Sequence, residues 1–246
     1  MSFNKKLLWG GLGWVMGGPI GAILGYAFAS MNENQSSPRV GSGQQSRFHS
    51  STKPADFVIS ILVLFAKVMK ADGQLLKSEL DYVKRFLKQQ FGIHQTRELM
   101  TVFKDILKQD YPLKDVCRQI QRSMDHSSRL ELVHVLFGLS AADGHTHPDE
   151  VRVIQTIANY LNINRNDYES IKAMFAKDEK AAYRILDVSP SVSNDELKRA
   201  FRKMANKFHP DKVAHLGVEM QKLAEEKFKA VNDAYQQIKK LSLIHI

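Results

Sequence analysis

The chain has 246 residues, 43% apolar and 25% charged, ordinary globular values that exclude wholesale disorder and leave room for one or two domains. Its one cysteine, Cys117, excludes an intramolecular disulfide framework and any four-cysteine zinc site. The net charge of +9 divides as five positive against one negative over residues 1–53, seventeen against fifteen over 54–177 and thirteen against ten over 178–246; no polybasic nucleic-acid tail stands out, and no nucleic-acid partner is expected.

From Leu7 to Ala29 runs a stretch of 23 residues without a charge, long enough for a helix that crosses a hydrocarbon core. Gly13, Gly17, Gly21 and Gly25 recur every four residues, on nearly one helix face, where missing side chains let a second backbone approach. Residues 1–31 are therefore read as a membrane anchor, with homodimerisation through the helix 7–29. Two rivals stand beside this reading. Ala27-Phe28-Ala29 fits a signal-peptide cleavage site, although the apolar run exceeds the usual length of such a segment; the run also suits a glycine-rich apolar tail lying on a surface. Lysines before it and arginines after it nearly balance, so the residues set no orientation. Residues 32–54, rich in Ser, Gln and Gly, cannot bury enough surface to order themselves and read as a flexible tether.

Residues 55–177 are patterned for helices. Phe57, Ile61, Leu64, Phe65 and Val68, and later Val151, Ile154, Ile157, Ala158 and Leu161, recur at three- and four-residue spacing. Polar breaks near residues 71–73, 91–92, 109–110, 123–125, 143–144 and 162 predict about seven helices. An internal echo lies within them. The segment from Phe65 to Gly73, followed by Glu79, aligns at an offset of 71 with the segment from Leu136 to Gly144, followed by Glu150. Each copy is an apolar helix, an Ala-Asp-Gly turn and a second helix whose glutamate stands six residues after the glycine. Gly-x5-Glu also ends an EF-hand loop, but Val68 and Lys70, and Leu139 and Ala141, replace the earlier oxygen ligands, so an ordinary EF-hand is excluded. Asp72, Glu79, Asp143 and Glu150 would form a joint weak divalent-cation site if the two copies pack about a pseudo-twofold axis; the alternative is capped turns with solvated carboxylates. His145 and His147 beside Asp143 and Asp149 admit a zinc reading, against ordinary exposed loop histidines. The paired A-D-G-x5-E units in an all-helical region of this size resemble the tellurite-resistance TerB-like domain.

At the C-terminus, Ala182 to Val188 reads as a short helix, and Ser193 with Glu196 forms a capping box. A helix then runs to about Phe208 and stops at His209-Pro210-Asp211, because proline disfavours helix in the residue before it; a second runs from about Glu219 to Ile238. The first is two-faced. Lys198, Arg199, Arg202, Lys203 and Lys207 line one side with no negative charge between Leu197 and Phe208, while Leu197, Ala200, Phe201, Met204 and Phe208 take the other. Tyr183-Arg184-Ile185-Leu186-Asp187-Val188, Phe201-Arg202-Lys203-Met204-Ala205, His209-Pro210-Asp211-Lys212 and the run Lys227 to Tyr235 resemble the J domain of DnaJ-type co-chaperones. The resemblance implies docking on a DnaK-type chaperone through His209, Pro210, Asp211 and the five stripe cations, with ATP hydrolysis stimulated in the partner. It implies no catalytic residue in this chain and no cofactor. No Gly/Phe-rich segment follows, and the lone cysteine forbids the zinc-binding repeat of the larger DnaJ proteins.

The order of anchor, TerB-like region (55–177) and J domain (178–240) resembles the DjlA family of membrane-anchored co-chaperones. That resemblance implies a single-pass protein of the bacterial inner membrane with both domains in the cytoplasm. The spacer around residues 177–180 is too short to let the J domain swing freely. Leu241 to Ile246 matches the translation of a transposon-end sequencing adapter and is set aside from fold reasoning. The expectation is an all-α chain: transmembrane helix, helical bundle and helical hairpin. Its rivals are a TerB-like metal- or stress-sensing membrane adaptor in which chaperone recruitment is secondary, and, with no nucleophile or phosphate loop to carry it, a carboxylate-using hydrolase.

Overall fold

The computed structural model describes residues 54–244 except 177 and 179. The glycine-spaced run 7–29, the tether as far as residue 53 and the last two residues lie outside the described residues. Those described are all helical, with no strand among them. Among them no helix is long and apolar enough to cross a membrane.

Six helices form the middle unit: α1 (Pro54–Met69), α2 (Lys77–Leu107), α3 (Leu113–Ser123), α4 (His126–Ser140), α5 (Pro148–Tyr160) and α6 (Arg165–Ala173). The helix breaks fall at the polar positions read from the sequence, with one difference: the break at Phe91-Gly92 is a kink inside α2, where Gly92 takes φ 74°, so six helices stand where about seven were expected. That left-handed backbone is open to glycine at little cost.

Helices α1 and α4 are the equivalent first helices of the two repeats and form the centre. Ile61 to Ala66, Val68 and Met69 are wholly buried, as are Leu132, Leu136 and Leu139, so both helices are apolar nearly all round, the pattern of a helix covered on every side. Phe65 meets Tyr82 and Phe86 edge-on at 6.1 and 5.7 Å. Asp125 caps α4 by accepting from the Ser128 amide at 2.9 Å. The Tyr111 hydroxyl donates to the Val63 carbonyl at 2.5 Å, and burial pushes that phenol well above its ordinary range.

The C-terminal unit consists of α7 (Ala181–Ile185), α8 (Asn194–Lys207), a 3₁₀ turn (Pro210–Leu216) and α9 (Val218–Ile244). The expected capping box is present: the Glu196 carboxylate accepts from the Ser193 amide at 3.0 Å, and the Ser193 hydroxyl accepts from the Glu196 amide at 3.4 Å. Leu197 and Met204 of α8 and Phe208 at its C-terminal cap are buried, as are Val231, Ala234 and Ile238 of α9, and Phe201 stacks on Tyr235 at 4.6 Å.

The two units are packed together. Helix α7 lies on α6, where the buried Ser170 hydroxyl donates to the Ile185 carbonyl at 2.6 Å. The 3₁₀ turn lies on α4, with His215 Nε2 3.2 Å from an Asp125 carboxylate oxygen.

Candidate functional site

The tip between α8 and α9 follows from local chemistry. Pro210 cannot continue α8 but suits the first position of the 3₁₀ turn, where no amide donor is needed. His209 precedes it with extended backbone, and its Nδ1 accepts from the Asp211 amide at 3.3 Å. The ring stands edge-on to Phe228 at 5.7 Å. The Asp211 side chain is 76% exposed and that of His209 47%, so one carboxylate and one imidazole are presented to solvent on a stiffened loop.

The five stripe cations do not share one environment. Arg199 and Arg202 are exposed and make no ion pair among the described residues. Lys198 stands 3.7 Å from Asp195 and Lys203 4.0 Å from Asp187, both exposed pairs worth little. Lys207 leaves the stripe: it pairs with Asp167 of α6, whose side chain is 1% exposed. The charges that balance the stripe come from outside its own window: Asp195 from the first turn of α8, Asp187 from the turn after α7 and Asp167 from the other unit.

A second inter-unit pair lies deeper. Lys227 of α9 and Glu131 of α4 pair with side chains 3% and 0% exposed, with His134 Nδ1 3.6 Å from Glu131 and the Lys227 ammonium 5.2 Å from the Phe208 ring centre. Burial works to raise the Glu131 carboxyl, but Lys227 and His134 outweigh it and hold it well below the usual carboxylate range. Sequence reading missed Glu131, Asp167 and Lys227 as contact residues. One signal was available for Lys227: it stands in register with Ala224, Val231 and Ala234 on the buried face of α9.

The four carboxylates of the repeat line one cavity of about 170 Å³, together with Ser140, His145 and His147. The two copies are built alike. Asp72 accepts from the Gln74 amide and Asp143 from the His145 amide, both at 2.9 Å; Glu79 accepts from the Leu76 amide at 2.8 Å and Glu150 from the His147 amide at 3.3 Å. Gly73 and Gly144 take φ 78° and 91°, which their turns require. Glu150 also accepts from the Ser140 hydroxyl at 2.6 Å, whereas Glu79 Oε1 is buried without a hydrogen-bond partner. Burial, with Glu150 and Asp72 nearby, pushes the Glu79 carboxyl up to about 8. Among the described residues no three His, Cys, Asp or Glu side chains converge closely enough to ligate a single ion.

The geometry agrees with comparisons against known proteins. A family model described as "Tellurite resistance protein TerB" matches residues 58–173, and one described as "DnaJ domain" matches residues 181–242. Among curated relatives, a "Co-chaperone protein DjlA" from Vibrio parahaemolyticus is 29% identical over 224 residues, spanning 76% of this chain and 78% of its own length. Its counterparts from Coxiella burnetii and Photobacterium profundum are 24% and 25% identical; the first covers 98% of both chains, the second 96% of this chain and 97% of its own. The chain joins a TerB domain to a J domain and is similar over most of its length to co-chaperones named DjlA. The TerB match falls on α1 to α6 and the DnaJ match on α7 to α9, and the relatives that span both are named as co-chaperones. No solved structure matches the chain.

Proposed function

We propose that the chain is a membrane-tethered J-domain co-chaperone that recruits a DnaK-type chaperone and stimulates its ATP hydrolysis. One observation carries this reading: His209 and Asp211 stand exposed, with the half-buried Pro210 between them, at the tip between a basic helix and its antiparallel partner. Arg199 and Arg202 give the stripe two exposed cations, without an ion pair among the described residues, for an acidic surface on the chaperone, where such charges speed encounter and fix register. Asp211 is free to accept charge-assisted hydrogen bonds from a partner arginine, and Pro210 keeps the loop in its presenting conformation. The hydrolysis takes place in the partner; this chain supplies no catalytic residue. The uncharged run 7–29 supports an inner-membrane anchor paired through Gly13, Gly17, Gly21 and Gly25, with both domains on the cytoplasmic side. The test is the ATPase rate of a DnaK-type chaperone with and without the full chain in nanodiscs. It is expected to rise severalfold, and the rise is expected to shrink between 50 and 300 mM salt as exposed charges are screened; an unchanged rate overturns the reading.

A second reading rests on the repeat cavity: a TerB domain that senses a hydrated divalent cation. Asp72, Glu79, Asp143 and Glu150 line the cavity and reach the ion through its water shell, since no three of them converge on one point. The unpartnered Glu79 oxygen and the room in the cavity favour an ion that keeps part of its water shell, as magnesium does. Because a cation must displace the proton on Glu79, binding is expected to be tighter at pH 8.5 than at pH 6. Thermal melting of the chain with 5 mM magnesium or calcium checks this. Equal melting temperatures with and without the ion at pH 8.5 would remove the sensor reading.

A further inference from the structure

The contacts between the two domains have a consequence for the docking stripe. Lys207 is the stripe cation nearest the His-Pro-Asp loop, and it is already engaged by Asp167 of the TerB domain. Asp167 is nine-tenths or more buried, accepts from Asn164 Nδ2 at 2.9 Å and lies 3.4 Å from His126 Nε2, so its carboxylate is fixed before any partner arrives. Next to it, Asn166 donates to Asp187 at 2.9 Å, and Asp187 is the neighbour of Lys203. At the same interface Glu131 holds Lys227, and the 3₁₀ turn that continues the His-Pro-Asp loop lies on α4.

We infer that Asp167 and Glu131 make the TerB domain an acidic docking surface for its own J domain, one that competes with the chaperone for the base of the stripe. The inference rests on the co-chaperone reading above. Lys227 and Glu131 are buried, so that pair is the fixed point of the contact. Lys207 is partly exposed and is the exchangeable cation: a chaperone carboxylate takes it by replacing Asp167, one charge partner for another. A competitor in the same chain acts at an effective concentration far above that of a free partner. The TerB domain therefore weakens docking without covering His209 or Asp211, and anything that loosens the two domains strengthens docking.

The test uses the full chain in nanodiscs and the concentration that gives half-maximal stimulation of a DnaK-type ATPase. Asp167→Asn is expected to lower that concentration at least threefold by freeing Lys207. Asn166→Cys with Asp187→Cys, joined by a short bismaleimide, is expected to raise it at least threefold relative to the same chain before the reagent. Cys117 is buried and does not compete for it. A merely structural role for Asp167 predicts weaker stimulation in Asp167→Asn and no effect of the cross-link, and either result overturns the inference. If the wild-type chain raises no rate, the co-chaperone reading fails, and the contact is then read from amine labelling of Lys207. Protection in wild type with exposure in Asp167→Asn supports the docking surface; equal labelling overturns it.

Discussion

Lys227→Met is expected to destabilise the folded chain by about 3–5 kcal/mol, the usual loss when one member of a buried ion pair is removed and the other charge stays behind. Glu131 is 0% exposed, and with Lys227 gone the charge-bearing neighbour left to it among the described residues is His134. The carboxylate must then be neutralised, rehydrated or pulled out of the interface, each at a cost. Replacing both partners, Glu131→Leu with Lys227→Met, removes the stranded charge and is expected to recover most of the loss. Urea unfolding of the three chains measures this. A loss below about 1 kcal/mol in Lys227→Met would show that the two domains are not held by this pair. The same comparison reports on domain coupling, because the pair joins α4 of the TerB domain to α9 of the J domain. With it intact, the domains are expected to unfold in one transition.

The second large effect concerns pH. Glu79 is 3% exposed, and its carboxyl is pushed up to about 8 from an ordinary 4.5, first by burial and then by Glu150 and Asp72. The folded chain therefore holds a proton there that the unfolded chain has released. The stability this group contributes is fully present below pH 4.5, falls as pH rises toward 8 and is constant above that. Glu79→Gln keeps an oxygen for the Leu76 amide and places an NH₂ where the carboxylic proton would face Glu150. It is expected to remove this pH dependence and to raise stability at pH 8.5 by on the order of a few kcal/mol. Denaturation curves at pH 5, 7 and 8.5 for both chains check it. A wild-type chain whose stability does not fall over that window, or a variant that falls with it, would contradict the assignment.

Much of this architecture was legible in the sequence because local rules set it. The break at Ala71-Asp72-Gly73 and its echo at Ala142-Asp143-Gly144 became turns because asparagine-like capping by Asp and a left-handed glycine are properties of a few adjacent residues. Ser193 with Glu196 and the stop at His209-Pro210 are local in the same sense. The offset of 71 between repeats also carried a non-local consequence, since two like units packed alike bring Glu79 and Glu150 to one cavity. What was not legible depends on how separate elements meet. Gly92 reads as a helix break but bends a helix that continues, because the segments on both sides remain helix formers. Lys207 reads as one cation of a solvated stripe, yet its partner lies 40 residues earlier in the chain, where Asp167 reads only as a first-turn acid of α6. Glu131 sits between Leu130 and Leu132 in an apolar helix, and nothing in its own neighbourhood reveals that a lysine 96 residues later covers it. Pairings of that kind are set by the docking of domains, which hydrophobic period and capping patterns do not encode.

The central claim, that the exposed His-Pro-Asp loop drives ATP hydrolysis in a DnaK-type partner, is tested most directly by one comparison: the single-turnover ATPase rate of the chaperone with saturating wild-type chain and with His209→Gln. The variant keeps the basic stripe and the buried pairs that hold the domains together, so its fold and salt-dependent association are expected to persist while the stimulation falls to the rate of the chaperone alone. Equal stimulation by the two chains would contradict the account.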